Sequence, residues 1–341
     1  MSKKLIFFLI IIVMNGCQKE ININLGDFES KLVVNAQLTT DKYSSPYNGQ
    51  NIMVSNSIDP FDSYYNFILT DDSIPIINYA DVTVNEINNE NSLEYKFEFN
   101  EDCYCYINRD FKPVENKTYS IEVKANDFTT INASETMPSK VDFTISNFEL
   151  LSDINDNFES HLLKYDLCKL NISIIDDPHT NNYYRLRIKT GKPTNNIKPN
   201  FLFTGQRQRG EKKCIFKTQN NIFLNKENQQ NLNNGYFEGQ TAYFTDEWFN
   251  GEEENIFIEV DKPEGGWNYF YIEIISYSKN LYNYLINVKR ENSTENNSLS
   301  NKEPVIFDSN ISDGFGVFGG QSETRKTYLP LFYPTNGWVE D

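Results

Sequence analysis

The chain has 341 residues, 39% of them hydrophobic and 14% aromatic, which describes a folded body and excludes a disordered one. Its formal charge of −17 at pH 7 would repel nucleic-acid phosphate, so no nucleic-acid partner is expected. The length exceeds one ordinary domain and suits two.

The amino terminus reads MSKKLIFFLIIIVMNGC. Two lysines precede an apolar run from Leu5 to Met14, and Gly16 stands just before Cys17. A bilayer-spanning helix needs roughly 20 apolar residues, about twice this run. Positive flank, short greasy core and small closing residue are the marks of an export leader. Glycine directly before cysteine resembles a bacterial lipoprotein signal, which predicts residues 1–16 as the leader, Cys17 as the lipid attachment site and 17–27 as a tether. Stable attachment requires more than one acyl chain, since each buried CH₂ contributes about 0.8 kcal/mol.

Strands follow at short intervals. Lys31 to Thr39 (KLVVNAQLT) places Leu32, Val34, Ala36 and Leu38 on one face. Val82 and Val84, then Leu93, Tyr95, Phe97 and Phe99, then Tyr119, Ile121 and Val123 repeat this period of two, the mark of half-buried antiparallel strands. Residues 28–138 are expected to form an immunoglobulin-like or prealbumin-like sandwich, with Pro138 at its boundary. A second β-rich domain is expected over 139–341, with strands in VDFTISNFELL, YDLCKLNISII, YYRLRI, NIFIEV and YFYIEIISY. One helix is expected near 277–290, its stripe formed by Leu281, Leu285 and Val288 and its end by Lys289 and Arg290. The expected class is thus mainly β: two sandwich-like domains, the second with one packed helix.

Five cysteines occur. Beyond Cys17, the pair Cys103 and Cys105 would stand parallel on one face if CYCY were a strand, a poor geometry for a mutual bond. Two alternatives remain for the others: a disulfide between Cys168 and Cys214, or free buried thiols throughout. No C-x-x-C pair with a histidine partner is present, so no metal is expected. The calcium-loop-like DINDN (Asp153 to Asn157) has Phe158 where glycine and Lys164 where glutamate would be needed.

Gly314 to Gly320, GFGVFGG, has the G-x-G-x-x-G spacing of dinucleotide sites. Such a fingerprint requires a following helix and second parallel strand, and too little chain follows in this sequence. No nucleotide or other cofactor is expected; a glycine-rich turn or bulge that lets the backbone pass close to helix or sheet is.

Catalytic constellations are missing from the sequence. Its two histidines, His161 and His179, sit in polar, turn-like surroundings, and neither G-x-S-x-G nor H-E-x-x-H occurs. Acidic runs such as Glu252-Glu253-Glu254 are adjacent in sequence, whereas a glycosidase pair spans a cleft. A non-enzymatic protein is expected. Trp248, Phe249 and Trp267 are the candidate partner or ligand contacts, because TDEWFNGEEE sets two large apolar side chains in an acidic turn that either meets a partner or plugs the end of a sandwich.

Taken in order, Cys17, KLVVNAQLT, ASETMPSKV, NYYRLRI, YFTDEWFNG, SYSKNLYNYLINVKR and SNISDGFGVFGG resemble the Bacteroidota lipoprotein family catalogued as domain of unknown function 4249. The resemblance implies an outer-membrane lipoprotein, often encoded beside a TonB-dependent receptor, with no assigned reaction; Gln18-Lys19-Glu20 resembles the short charged tag that sends such lipoproteins to the outer face, so cell-surface display is expected. The expected anchor and that neighbourhood together predict an accessory or ligand-capture partner of such a receptor; the alternative is a surface adhesin or glycan-binding module.

Overall fold

A computed structural model describes residues 29–40, 49–58, 75–87, 93–152, 165–191, 212–261, 269–294, 307–328 and 338–340. Strands dominate it. The first seven are β1 (Leu32–Thr39), β2 (Gln50–Asn56), β3 (Asp81–Glu86), β4 (Leu93–Asn100), β5 (Cys105–Asn108), β6 (Thr118–Lys124) and β7 (Ile131–Thr136). Then come β8 (Asp142–Ser152), β9 (Tyr165–Ile175), β10 (Tyr183–Gly191), β11 (Lys212–Lys213), β12 (Phe216–Thr218), β13 (Leu232–Asn233), β14 (Tyr236–Gly239), β15 (Thr241–Thr245) and β16 (Glu253–Asp261). Strand β17 (Tyr269–Tyr277), helix α1 (Lys279–Thr294), β18 (Phe315–Tyr328) and β19 (Trp338–Glu340) complete the described chain.

Two sheets result. The larger has the order β11-β10-β17-β18-β1-β2-β5-β4-β3-β6-β7, with β15 also on β10 and β19 on β18. The smaller has the order β13-β14-β12-β16-β9-β8. Alternation explains the packing, since one face of each strand is apolar. Leu170, Ile172 and Ile174 of β9 and Ile256, Ile258 and Val260 of β16 meet Leu186, Ile188, Ile272 and Ile274 of β10 and β17 in one core. A second core gathers Leu32, Val34 and Ala36 with Val82, Phe97, Tyr119 and Ile121. The mainly β class is present, and among the described residues so is the one α-helix expected from periodicity.

The final segment departs from the expected domain division. Ile311 and Phe318, assigned by sequence to the second domain, belong to the first core. Strand β18 pairs in parallel with β1, Val34 opposite Gly316 and Ala36 opposite Phe318, and antiparallel with β17. Continuous pairing across β17, β18 and β1 therefore joins the two halves in one sheet. Sequence order alone cannot reveal this, because parallel pairing of β1 and β18 is a contact between chain segments about 280 residues apart.

The glycine-rich run is where the chain crosses. Gly316 has φ of +105°, and a Cβ there would lie 2.0 Å from the Val34 carbonyl oxygen. At Gly319 a Cβ would lie 2.5 Å from that of Leu281, so the missing side chain lets α1 approach β18. Ser278 ties the two together: its amide donates to the Gly320 carbonyl, 2.9 Å, and its hydroxyl accepts from the Gly320 amide, 3.1 Å. The helix buries Leu281, Tyr282 and Ile286 against Tyr243, Ile275 and Tyr277. The expected Leu281-Leu285-Val288 stripe is thus rotated: Leu285 and Val288 are only half-buried, because the large Tyr282 ring packs into the aromatic cluster of Tyr183 and Tyr243.

The cysteine expectations need correcting. Cys103 and Cys105 form the disulfide, and Cys168 and Cys214 are free thiols. Cys103 lies in a turn and only Cys105 is in a strand, while Tyr104 between them has φ of +51°. That left-handed residue breaks the alternation that would have held the two sulfurs parallel. Cys168 and Cys214 are packed inside the core between the sheets, where burial pushes the Cys214 thiol up to about 12 and Cys168 also far above the ordinary thiol value. Both act as small apolar groups.

Candidate functional site

The acidic turn after β15 separates its two aromatic side chains. One 3₁₀ turn, Asp246–Trp248, points Trp248 outward at 75% exposure and sends Phe249 into the core at 2%. Phe249 packs toward Phe244, ring centroids 6.5 Å apart. It is the plug; Trp248 is the projecting contact. Glu247, Glu252 and Glu253 are exposed around it, as is the apolar side chain of Ile175, whose residue pairs with Glu253 across the ladder.

Two buried carboxylates hold this tip in place. Asp246 accepts a bond from the Asn182 amide at 2.7 Å. Asp176 accepts from the Asn182 side chain at 3.0 Å, the Tyr184 hydroxyl at 2.7 Å and the Gly251 amide at 3.2 Å. The loop is thereby tied on both sides of Trp248 to the ends of β9 and β10. Burial, with the negative Asp176 nearby, raises the Asp246 carboxyl above its ordinary value, although the bond from Asn182 opposes this. The Tyr184 hydroxyl is raised too, by burial first and then by its bond to Asp176. Asp176, Asn182, Tyr184 and Asp246 carry no sequence signal for this clamp: Asp176 and Asp177 are adjacent acids, yet only Asp177 is exposed.

Trp248→Ala is expected to change unfolding free energy by less than about 0.5 kcal/mol, as for an exposed substitution. Phe249→Leu should cost about 1 kcal/mol through imperfect repacking. Urea unfolding of both variants checks this division of roles.

A second polar constellation is centred on a buried carboxylate. On the face of the large sheet opposite the inter-sheet core, Glu273 is wholly buried and meets Arg187 at 2.6 Å, Arg325 at 2.7 Å and Lys189 at 3.1 Å. Glu323 joins through Arg325 at 3.0 Å, and the Arg325 guanidinium lies over the Tyr271 ring, 4.7 Å from its centroid. The residues sit in register on three adjacent strands, Arg187 opposite Glu273 opposite Arg325. Burial alone would raise the Glu273 carboxyl; the three cations overcome it and hold the group at about 2.

The remaining candidates are quickly placed. Cys17, Trp267, His161 and DINDN lie outside the described residues. His179 is exposed in a turn. Among the described residues no group of three or more His, Cys, Asp or Glu side chains could hold a metal ion, and no helix is long and apolar enough to cross a membrane.

The model of a family described as a domain of unknown function, DUF4249, matches residues 18–327. The chain belongs to this family. The match spans both cores, the Trp248 turn, α1 and almost all of β18, so this DUF4249 chain is one continuous family unit over nearly all its described structure. No curated protein matches its sequence. Among solved structures, the major pilin SpaA of Corynebacterium diphtheriae is similar at 8% identity and a TM-score of 0.21, covering 88% of this chain and 69% of the pilin.

Proposed function

We propose that this chain is a lipid-anchored, non-enzymatic outer-membrane lipoprotein, displayed at the cell surface, that serves as an accessory or ligand-capture partner of a TonB-dependent receptor. The observation that carries the reading is Trp248, a large apolar side chain held in solvent on a turn clamped by Asp176 and Asp246. Exposed tryptophan on a rigid support is the side chain type most often found at the energetic centre of an interface. Its acidic surround, Glu247, Glu252 and Glu253, suits a partner surface bearing lysine or arginine. The lipid expected on Cys17 would keep the body in the plane of the membrane and raise its effective concentration at such a partner. The receptor class follows from the family resemblance given by the chain's motifs.

Photo-cross-linking tests this directly. A benzophenone amino acid at position 248 of the full chain, expressed in its own host, should give a cross-linked product containing an outer-membrane receptor, and the same probe at exposed Tyr79 should not. Cross-links only to lipid or periplasmic proteins would overturn the receptor assignment.

A further inference from the structure

The outer face of the six-stranded sheet carries a groove of about 530 Å³. This lies within the roughly 300–1,000 Å³ usual for small-molecule sites. It involves neither the Trp248 turn nor the expected anchor. Its construction follows from the alternation of β16: Ile256, Ile258 and Val260 face the core, so Asn255, Phe257 and Glu259 face outward. Phe257 is 52% exposed in mid-strand, and its cross-strand neighbour on β9 is the polar Asn171. No apolar partner on β9 requires an aromatic ring there. Tyr236 of β14 lines the same groove, its hydroxyl fixed by a bond from the Asn233 side chain at 3.1 Å and a bond to Glu238 at 3.4 Å.

The walls are polar and oriented. Asn255 accepts a bond from Asn171 at 3.2 Å through its side-chain oxygen, which turns its two N–H donors away from that oxygen. Asn220 donates to Glu254 at 2.7 Å and to the Asn255 carbonyl at 3.1 Å, fixing the groove's end, and Gln219 beside it is exposed. Charge decides the ligand class. Lys217 faces Asp261 at 2.9 Å and Glu238 at 3.7 Å, and Lys169 faces Glu259 at 2.9 Å. Lys217 and Glu259 line the groove; with their ion-pair partners Asp261, Glu238 and Lys169 and with Glu254 beside Asn220, the surroundings hold two cations against four carboxylates, which disfavours an acidic ligand.

We infer that this groove binds a neutral oligosaccharide, its pyranose C–H faces lying on Phe257 and Tyr236 and its hydroxyls bonding to Asn255, Gln219 and Glu259. Flat apolar rings beside carboxamides and a carboxylate match a ligand that is apolar on its ring faces and rich in hydroxyls at its edges. A purely apolar ligand would cover the exposed Gln219 and Asn255 carboxamides without offering them hydrogen bonds. A uronic-acid or sulfated glycan would meet the carboxylate excess.

Calorimetric titration of the full chain in detergent tests this, with maltohexaose, cellohexaose, xylohexaose and mannohexaose as neutral probes and hexagalacturonate as the anionic one. At least one neutral probe should bind with Kd at or below roughly 1 mM, and Phe257→Ala should weaken it by about tenfold or more. Tyr79→Ala, an exposed position outside the groove, should leave it unchanged, and circular dichroism should show the Phe257 variant folded as the parent. No binding of any neutral probe at roughly 10 mM would overturn the inference. So would unchanged binding by the Phe257 variant, or tighter binding of hexagalacturonate. Failure here leaves the Trp248 cross-link standing, since the two sites share no residue.

Discussion

Replacing Glu273 by alanine should lower unfolding free energy by about 3–5 kcal/mol, because three cations are then left in the sheet interior without their central counter-charge. The geometry makes the cost large. Glu273 is wholly buried, and Arg187, Arg325 and Lys189 all reach its carboxylate within 3.1 Å. The whole network contributes less to stability than this loss suggests, since burying all its charges is itself costly. Glu273→Gln keeps the volume and some hydrogen bonds and should fall between parent and alanine variant. Urea unfolding at neutral pH gives the ordering.

The same residue imposes a pH dependence with a definite sign. Its folded carboxyl is held at about 2, below the ordinary value of 4.5. A depressed folded value means stability fully present above the unfolded value and lost progressively as pH falls from 4.5 toward about 2. The parent should therefore lose more stability than Glu273→Gln between these limits. Equal acid limbs in the two proteins would show that Glu273 does not hold its charge.

The second large effect is expected at Gly316. An alanine Cβ would sit 2.0 Å from the Val34 carbonyl oxygen, at φ of +105° where side chains are already strained. The clashing atom is backbone and cannot swing aside, so the parallel ladder between β1 and β18 must part locally. A cost of about 4 kcal/mol or more is expected, in the range reserved for disrupted backbone and core. Because β18 supplies Phe318 to the first core and pairs with β17 of the second, one substitution should loosen both halves. Hydrogen exchange would show this as lost protection in β1 and β17 together. Lost protection in β1 alone would mean that β18 does not join the halves.

Much of this was legible from period-two alternation. Each burial pattern of β1, β6 and β16 alternates as the sequence implies, because the side chains of a strand face opposite sides in turn. The helix was legible too, but its rotation was not, since Tyr282 follows neighbouring rings brought by distant strands. Long-range features escaped for the same reason. The β1–β18 pairing, the Glu273 cluster on three strands and the Asp176–Asp246 clamp each assemble residues far apart in the chain. The Cys103–Cys105 disulfide is not legible in the sequence because its geometry depends on the left-handed Tyr104, and tyrosine carries no signal for that conformation. For the candidate site, the acidic turn announced Trp248 and Phe249, yet only the fold assigns one outward and the other inward. Phe257 was within reach: its parity in NIFIEV opposes that of Ile256, Ile258 and Val260, which sets an aromatic ring on the solvent side.

Membrane attachment is the premise on which capture at a receptor depends, and mass spectrometry of the full-length gene product extracted from its host's membranes reads it directly. The expected result is a mature chain beginning at Cys17 and carrying the mass of a diacylglyceryl group and an amide-linked acyl chain. A bare amino terminus at any other residue, or an unmodified Cys17, would contradict it.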